Sequence, residues 1–357
     1  MFNMKFIKAG LFFIFLTLCF FLSVWPQGRT QMIIKDNLGR SVKIERKIER
    51  IVCLQPELLR ILVALGQKNR VVAIDRFPVR YDHLMPIIFP DVERLPVVSV
   101  TGEDANLERI LSLKPDLVLV SPSELYLSHH LARKLKCPVI SLSSIGRLDR
   151  LLEEVEILAR ITDSEQRGSE LKKLIQDKLG LIKKRLAELS ESSPPKVYLG
   201  FWGSLLRSPV FYEPVELAGG HNLAGQLKPI YEGSDTAVLN IEFLLKSNPD
   251  FILIQGNYLP VERFLTIEEV LSDPKLQTIR AIKDKKVFYT FGFWYWWDPA
   301  LVLVECLYLS WLFHPDLMSD LDLMAEAENI FKNFYGQEGL FKRLCDKIEA
   351  YDWFKKK

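Results

Sequence analysis

The sequence predicts an α/β protein of two Rossmann-like lobes, each with a mostly parallel sheet, joined by a single long α-helix. Three observations predict it. Short apolar runs alternate with helix-like segments on both sides of the middle of the chain, one long amphipathic stretch separates them, and one helix–strand unit occurs twice. Strands that alternate with helices need crossover connections, which are right-handed and give parallel sheets.

The first lobe is predicted at residues 30–163. Residues 33–44 (IIKDNLGRSVKI) predict a β-hairpin with its turn at Asn37–Gly39. Buried strands are predicted at 51–54, 71–74, 117–120 and 139–142, and helices at 56–65, 106–113 and 124–136. The first of these helices has Pro56 in its first turn and ends at Gly66, which are common start and stop signals.

A connecting helix is predicted at residues 164–193. Its apolar residues form one stripe, at Leu171, Leu174, Ile175, Leu179, Ile182, Leu186 and Leu189. Thr162 and Glu165 have the spacing of a capping box, and Pro194–Pro195 end the pattern. About 25 helical residues reach roughly 40 Å, enough to pass from one lobe to the other. The alternative is an ordinary surface helix inside one domain.

The second lobe, at residues 194–357, is predicted from an internal repeat. Residues 106–120 read NLERILSLKPDLVLV and residues 240–254 read NIEFLLKSNPDFILI. Asn, Glu, Pro and Asp recur at the same offsets, and each copy is a helix that ends at proline and leads into a buried strand. Two lobes of the same topology therefore follow from the repeat.

The N-terminus predicts export. Lys5 and Lys8 precede an uncharged apolar run at residues 9–24, the pattern of a signal peptide or N-terminal membrane anchor within residues 1–29. The run is shorter than the ~20 apolar residues that comfortably span a bilayer. Release of the mature chain, lipidation at Cys19 and retention as an anchor all remain open.

Composition and motifs argue against several classes of protein. The formal net charge is +2 and no basic face stands out, so nucleic acid is not an expected partner. The chain has no GxSxG, P-loop, HExxH or strand-linked GxGxxG motif, so it is not predicted to be an enzyme. No metal site and no intrinsic cofactor are expected, and the protein is expected to be a monomer. Cys53, Cys137, Cys306 and Cys345 form no CxxC pair; buried thiols are favoured over disulfides, whose pairing the sequence cannot give.

A ligand cleft is expected between the lobes, because ligands of parallel α/β sheets bind outside the carboxyl ends of strands. The residues that follow the predicted strands are therefore the candidates for ligand binding: Gln55, Pro56, Arg76, Phe77, Arg80, Tyr126, Trp202, Arg207, Gln255, Tyr258, Trp294, Tyr295, Trp296 and Trp297. The four consecutive aromatics at 294–297 predict an aromatic wall of the cleft. The arginines can supply positive charge to an anionic ligand.

These residues resemble a known family. RIVCLQP (50–56), ALG (64–66), NLERI with LKPDLVL (106–119) and LAGGHN (217–222) are similar to the solute-binding proteins of ABC importers for iron siderophores and cobalamin. The resemblance covers roughly residues 32–313. It implies two lobes joined by a rigid helix, little hinge motion, a ligand between the lobes, and delivery to membrane permease subunits.

The resemblance also implies permease docking through one glutamate per lobe. The first falls on Glu108. The second falls in the Gly-Gly-x-Asn motif, where this chain has His221, and Glu216 is the nearby replacement. The implied ligand is a ferric chelate or corrinoid. The alternatives are molybdate or tungstate on the same scaffold, or a metal-binding or enzymatic derivative that uses His83.

Overall fold

The computed structural model describes residues 31–45, 47–100, 105–189, 193–230, 234–255, 265–293 and 297–348. The predicted export segment and the candidate ligand residues Tyr258, Trp294, Tyr295 and Trp296 lie outside these ranges. Within them, no helix has both the length and the apolar character that crossing a membrane requires.

The first lobe contains a hairpin and a parallel sheet. The hairpin consists of β1 (Met32–Lys35) and β2 (Ser41–Ile44), and the sheet of β3 (Ile51–Cys53), β4 (Val71–Asp75), β5 (Val97–Ser99), β6 (Leu117–Val120) and β7 (Val139–Ser141). The five strands are ordered β5-β4-β3-β6-β7, and all neighbours are parallel. The strands are short apolar runs because helices cover both faces of the sheet.

The helices of this lobe follow the predicted alternation with strands. They are α1 (Pro56–Ala64), α2 (Phe77–Arg80), α3 (Met85–Ile88), α4 (Leu107–Ser112), α5 (Leu125–Lys134) and α6 (Leu148–Ile161), with 3₁₀ turns at Lys68–Arg70 and Pro90–Arg94. Pro56 occupies the first turn of α1, as predicted.

One long helix links the two sheets in sequence. This helix, α7 (Glu165–Leu186), has 22 residues, or roughly 33 Å at ~1.5 Å per residue. It buries Leu171, Ile175 and Ile182 from the predicted stripe. The predicted capping box is wrong, because the Thr162 hydroxyl donates back to the carbonyl of Leu158 at 2.6 Å, at the end of α6.

The second lobe repeats the α/β plan with a smaller sheet. Its strands are β8 (Lys196–Gly200), β9 (Arg207–Pro209), β10 (His221–Asn222), β11 (Thr236–Val238), β12 (Phe251–Gln255) and β13 (Val287–Thr290). Four of them form a parallel sheet in the order β10-β8-β12-β13, while β9 and β11 pair antiparallel.

The remaining helices surround this second sheet and close the chain. They are α8 (Glu213–Leu217), α9 (Ile241–Ser247), α10 (Ile267–Ser272), α11 (Arg280–Lys283), α12 (Pro299–Phe313), α13 (Leu323–Tyr335) and α14 (Leu340–Ile348), with a 3₁₀ turn at Leu223–Gln226. Most of α12 is buried on all sides, which its uninterrupted apolar sequence explains.

The sequence repeat is also a structural repeat. Asn106 and Asn240 cap α4 and α9, each accepting a backbone hydrogen bond from three residues later, at 2.9 and 3.0 Å. Asp116 accepts the N–H of Arg50, just before β3, at 3.0 Å. Asp250 accepts the N–H of Lys196, the first residue of β8, at 2.9 Å. The asparagine and the aspartate of the repeat therefore make equivalent hydrogen bonds in both lobes.

The two lobes share one hydrophobic core. A single cluster of buried side chains includes Leu119 and Ile140 of the first sheet together with Leu199 and Leu253 of the second. Two smaller clusters lie on other faces of the two sheets. The four cysteines of the described ranges are free thiols, and all but Cys137 are buried.

Buried charges also cross between the lobes. The Arg60 guanidinium on α1 is fully buried and makes an ion pair with Asp82 and another, at 2.9 Å, with Asp298 at the start of α12. The Tyr335 hydroxyl on α13 donates to Asp298 at 2.5 Å. A charge network without access to water therefore joins the first lobe to the C-terminal helices.

The lobes also meet at the loop that connects β7 to α6. The N–H of Glu213 donates to the carbonyl of Gly146 at 2.9 Å, and the Glu213 carboxylate accepts the N–H of Leu148 at the start of α6. A carboxylate from one lobe thereby caps a helix N-terminus in the other, where the helix dipole favours negative charge.

Candidate functional site

A cleft of about 880 Å³ opens between the lobes, within the range of roughly 300–1,000 Å³ typical of small-molecule sites. Both lobes contribute to its walls, which are formed by Asn37, Leu38, Ser121, Pro122, Ser123, Ser143, Ile145, Arg147, Arg150, Phe201, Trp202, Arg207, Phe211, Pro229, Ile230, Ser234, Asp235, Thr236, Gln255 and Phe293.

The first-lobe wall is rich in hydroxyl groups. Ser121 and Ser123 follow β6, and their hydroxyl oxygens lie 2.7 Å apart. Ser143 follows β7, and its N–H donates to Asn37 Oδ1 in the hairpin turn at 2.7 Å. The cleft thus lies at the carboxyl ends of β6 and β7, with the hairpin beside them.

The second-lobe wall includes a buried glutamine, Gln255. Gln255 ends β12 and is only 5% exposed. Its Oε1 accepts the N–H of Trp202 at 2.8 Å, whereas its Nε2 has no hydrogen-bond partner in the described part of the chain. Trp202 has a φ of +52°, a left-handed conformation that is uncommon for a bulky residue and concentrates at functional sites.

Positive charge exceeds negative charge in the cleft. Among the residues that the structure describes, three arginines line it, against the single carboxyl of Asp235, whose pKa is raised by burial although Thr236 donates to it. Arg147 is held by Asp149 and lies over the Phe211 ring at 5.6 Å. Arg207 is exposed, and its guanidinium makes no ion pair with the residues that the structure describes. The electrostatic character of the cleft therefore suits an anion.

A buried carboxyl lies directly beneath the first-lobe wall. Glu57 Oε1 accepts the Ser143 hydroxyl at 3.0 Å and also the amide of Gln55. Desolvation by burial raises the pKa of Glu57 to about 8, with a smaller contribution from the charge of Glu124. Its carboxyl is therefore neutral at pH 7 while in hydrogen-bond contact with a cleft residue.

Three of the predicted ligand residues line the cleft: Trp202, Arg207 and Gln255. Arg76, Arg80 and Tyr126 are exposed but do not line it. The Tyr126 ring instead stacks on His130 of the same helix at 6.0 Å. The loop after β4 therefore contributes no side chain to the cleft walls.

Gln55, Pro56 and Phe77, also predicted to bind the ligand, are buried and do not line the cleft. Pro56 begins α1 shortly after β3 and is buried with the helix. The Gln55 amide donates a hydrogen bond to the buried carboxyl of Glu57. Asp75 accepts the N–H of Phe77 at 2.8 Å, and this turn directs the Phe77 ring into the core.

Trp297 does not belong to an aromatic wall of the cleft. It is fully buried and packs against Tyr212 and Phe293, with ring centroids 5.9 and 5.4 Å away. Of these three rings, only Phe293 reaches the cleft. The other three aromatics of the predicted wall lie outside the described residues.

The predicted docking residues differ in their surroundings. Glu108 is exposed on α4. Glu216 is exposed on α8, and its carboxylate accepts the N–H of Asn222 at 3.2 Å. His221 is half-buried in β10, paired with Lys196. In the described ranges, no group of three or more His, Cys, Asp and Glu side chains is arranged to hold a metal ion, and His83 is exposed.

Sequence reasoning missed most of the first-lobe wall. Ser143, Arg147 and Arg150 follow β7, and applying the strand-end rule to that strand identifies them. Asn37 and Phe211 are not preceded by a strand of either main sheet at a carboxyl end, so no local signal marks them. They are brought to the cleft by tertiary packing.

Comparisons with known proteins agree with this geometry. A family model described as periplasmic binding protein matches residues 51–291. The molybdate-binding protein MolA of Haemophilus influenzae is 27% identical, over 89% of this chain and 94% of its own length. Its structure with bound molybdate, described as the periplasmic binding protein of an ABC transporter, aligns with a TM-score of 0.69 at 25% identity, covering 86% of this chain and 98% of that one.

A cobalamin-binding protein of Halobacterium salinarum is 22% identical, over 61% of this chain and 57% of its own length. The matched family model spans more than half of the 357 residues, and the two-lobed fold and interlobe cleft are as expected for such a protein. The chain therefore belongs to the periplasmic binding protein family and is an extracytoplasmic solute-binding protein of an ABC importer.

Proposed function

We propose that this protein captures a tetrahedral metal oxyanion of the molybdate or tungstate type in its cleft and releases it unchanged to an importer. The observation that carries the proposal is Gln255, which lines the same cleft as Arg207 and whose buried amide nitrogen has no partner in the described chain. Such oxyanions only accept hydrogen bonds, so they need N–H, O–H and positive groups around them. The similarity to MolA supports the same assignment.

Binding should be tested by calorimetry of the purified protein with molybdate, tungstate and sulfate. We expect saturable binding of molybdate and tungstate. Arg207→Ala and Gln255→Ala should each weaken it by about tenfold to a hundredfold, the usual effect of losing one charge-assisted hydrogen bond. Arg80→Ala is the matched control, because Arg80 is exposed outside the cleft, and it should leave affinity unchanged.

A second candidate ligand is an anionic ferric chelate or a corrinoid. The cleft is much larger than one oxyanion, and Trp202, Phe211 and Phe293 offer aromatic surface to an organic ligand. If this candidate is correct, a ferric catecholate complex or cobalamin quenches tryptophan fluorescence and Trp202→Ala abolishes its binding. Oxyanion binding that survives Trp202→Phe but not Arg207→Ala would count against the chelate. No response to any of these ligands would reject both candidates.

We also propose that Glu108 and Glu242 are the permease-docking pair. The repeat places Glu242 on α9 where Glu108 lies on α4, two residues after the capping asparagine, and both carboxylates are exposed. The pair replaces the predicted second contact at Glu216 or His221. Neither of those residues has a counterpart of this kind in the first lobe.

Charge reversal tests the docking pair. Glu108→Lys and Glu242→Lys should each reduce ligand-dependent uptake by the cognate importer severalfold, because a single surface ion pair is weak but a repulsive contact disturbs the whole interface. Ligand affinity should not change. Glu216→Lys serves as the control. Loss of uptake with Glu216→Lys, together with normal uptake with Glu242→Lys, would assign the second contact to Glu216.

Residues 1–29 complete the proposal. Their basic flank and apolar run would direct the chain across the membrane and either be removed or hold the protein at its outer face.

A further inference from the structure

We infer that Glu57 is the proton-binding group of the cleft, so that anion affinity falls when its carboxyl ionises. The inference rests on the proposed anionic ligand and adds a regulation of the same site. Its geometric basis is one short path, in which Glu57 Oε1 accepts the hydroxyl of Ser143 at 3.0 Å and Ser143 lines the cleft.

Among the described residues, no positive group lies against Glu57 to hold its charge. It is fully buried, and its Oε2 has no hydrogen-bond partner among the described residues. The ionisable groups that face it are Cys53 from β3, Glu124 at the start of α5 and Glu154 from α6. None of these is a cation. The charge of Arg150 acts on Glu154.

Two of the neighbouring groups, Glu154 and Cys53, are also held in their neutral forms. Burial and the charge of Glu57 raise the pKa of Glu154 well above its usual value, against the opposing effect of the Ser144 hydroxyl. Burial likewise raises the pKa of the Cys53 thiol. Near neutral pH, therefore, Glu57 is the group here whose proton is closest to dissociation and which also contacts the cleft wall.

The direction of the coupling follows from charge. Below pH 7 the Glu57 carboxyl is protonated, so an anion in the cleft meets no negative charge behind Ser143. As pH rises through about 8 the carboxyl ionises beneath Ser143, and its charge repels the anion across a medium of low dielectric constant. By linkage, a bound anion must raise the pKa of Glu57 further, so binding above neutral pH takes up a proton.

The first experiment is independent of the ligand. Infrared difference spectra of the ligand-free protein, wild type minus Glu57→Gln, should show a neutral carboxylic acid that disappears only above neutral pH. Glutamine keeps the volume of the side chain and an oxygen to accept the Ser143 and Gln55 hydrogen bonds. A carboxylate that is already ionised at pH 6 would overturn the inference, whatever the ligand is.

The second experiment measures molybdate affinity at pH 6.5 and pH 9. We expect wild-type affinity to be about tenfold weaker at pH 9, within the usual range of site–site coupling, and the affinity of Glu57→Gln to be constant. Glu216→Gln is the control. Its pKa is also raised, to about 7, mainly by desolvation of the carboxyl where it lies against the Asn222 N–H, although the residue as a whole is exposed. Asn222 does not line the cleft. Glu216→Gln should retain the wild-type pH dependence.

The outcomes separate the two proposals. Equal wild-type affinity at both pH values overturns the coupling and leaves the oxyanion function in place. If molybdate binds at neither pH, the oxyanion function fails, and the same comparison with an anionic ferric catecholate complex decides the coupling.

Discussion

Single residues determine how closely the two lobes approach each other. Gly146 has a φ of +79°, and a Cβ atom built there would lie 2.4 Å from the carbonyl oxygen of Phe211 in the second lobe. Only glycine combines this backbone conformation with such a close contact. Glycine at position 146 therefore allows the segments around Gly146 and Phe211 to pack closely, next to the point where Glu213 caps α6.

Gly146→Ala should therefore destabilise the protein more than an ordinary glycine substitution. Gly66→Ala is the matched control, because Gly66 has a similar φ of +76° and open space around its Cβ position. We expect the control to cost about 1–2 kcal/mol of unfolding free energy, from left-handed strain alone. Gly146→Ala should cost clearly more, as measured by urea unfolding. Equal costs would show that the lobes separate easily at this contact.

At the scale of elements, the repeated helix–strand unit organises both lobes. Its asparagine caps, proline stops and aspartate contacts depend on residues close in sequence or in the neighbouring strand. For that reason the repeat, the hairpin and four of the five parallel strands of the first lobe were predictable from the sequence and are confirmed, whereas β5 was not predicted. The start of α7 was less predictable from the sequence. The Thr162 hydroxyl donates to the Leu158 carbonyl at the end of α6 and does not cap α7.

The cleft was harder to predict than its scaffold. The strand-end rule selected Trp202, Arg207 and Gln255, which line the cleft, but it also selected Gln55, Pro56 and Phe77, which packing buries. Which strand ends remain open depends on where the other lobe lies. That depends on long-range contacts, such as the approach of Phe211 to Gly146, which no local pattern records.

At the scale of the whole molecule, the buried Arg60 network holds the first lobe to the C-terminal helices. Arg60→Met should lower the free energy of unfolding by about 3–5 kcal/mol, because it leaves the buried carboxylates of Asp82 and Asp298 without their cation. Adding Asp82→Asn and Asp298→Asn should recover much of the loss, since asparagine removes the charge and can still cap α12. Thermal and urea unfolding measure both effects. A triple variant no more stable than Arg60→Met would show that the arginine acts through packing.

The shared core has a consequence for traffic at the importer. Because one hydrophobic cluster and one buried charge network join the lobes, we expect them not to move far apart, so that the empty and the loaded protein present nearly the same surface to the permease. We therefore expect the permease to bind the ligand-free binding protein as well, and such complexes occupy the docking site without delivering solute. At limiting solute, uptake should first rise with the amount of binding protein and reach a maximum. It should then decline, because ligand-free protein competes with ligand-bound protein for the permease.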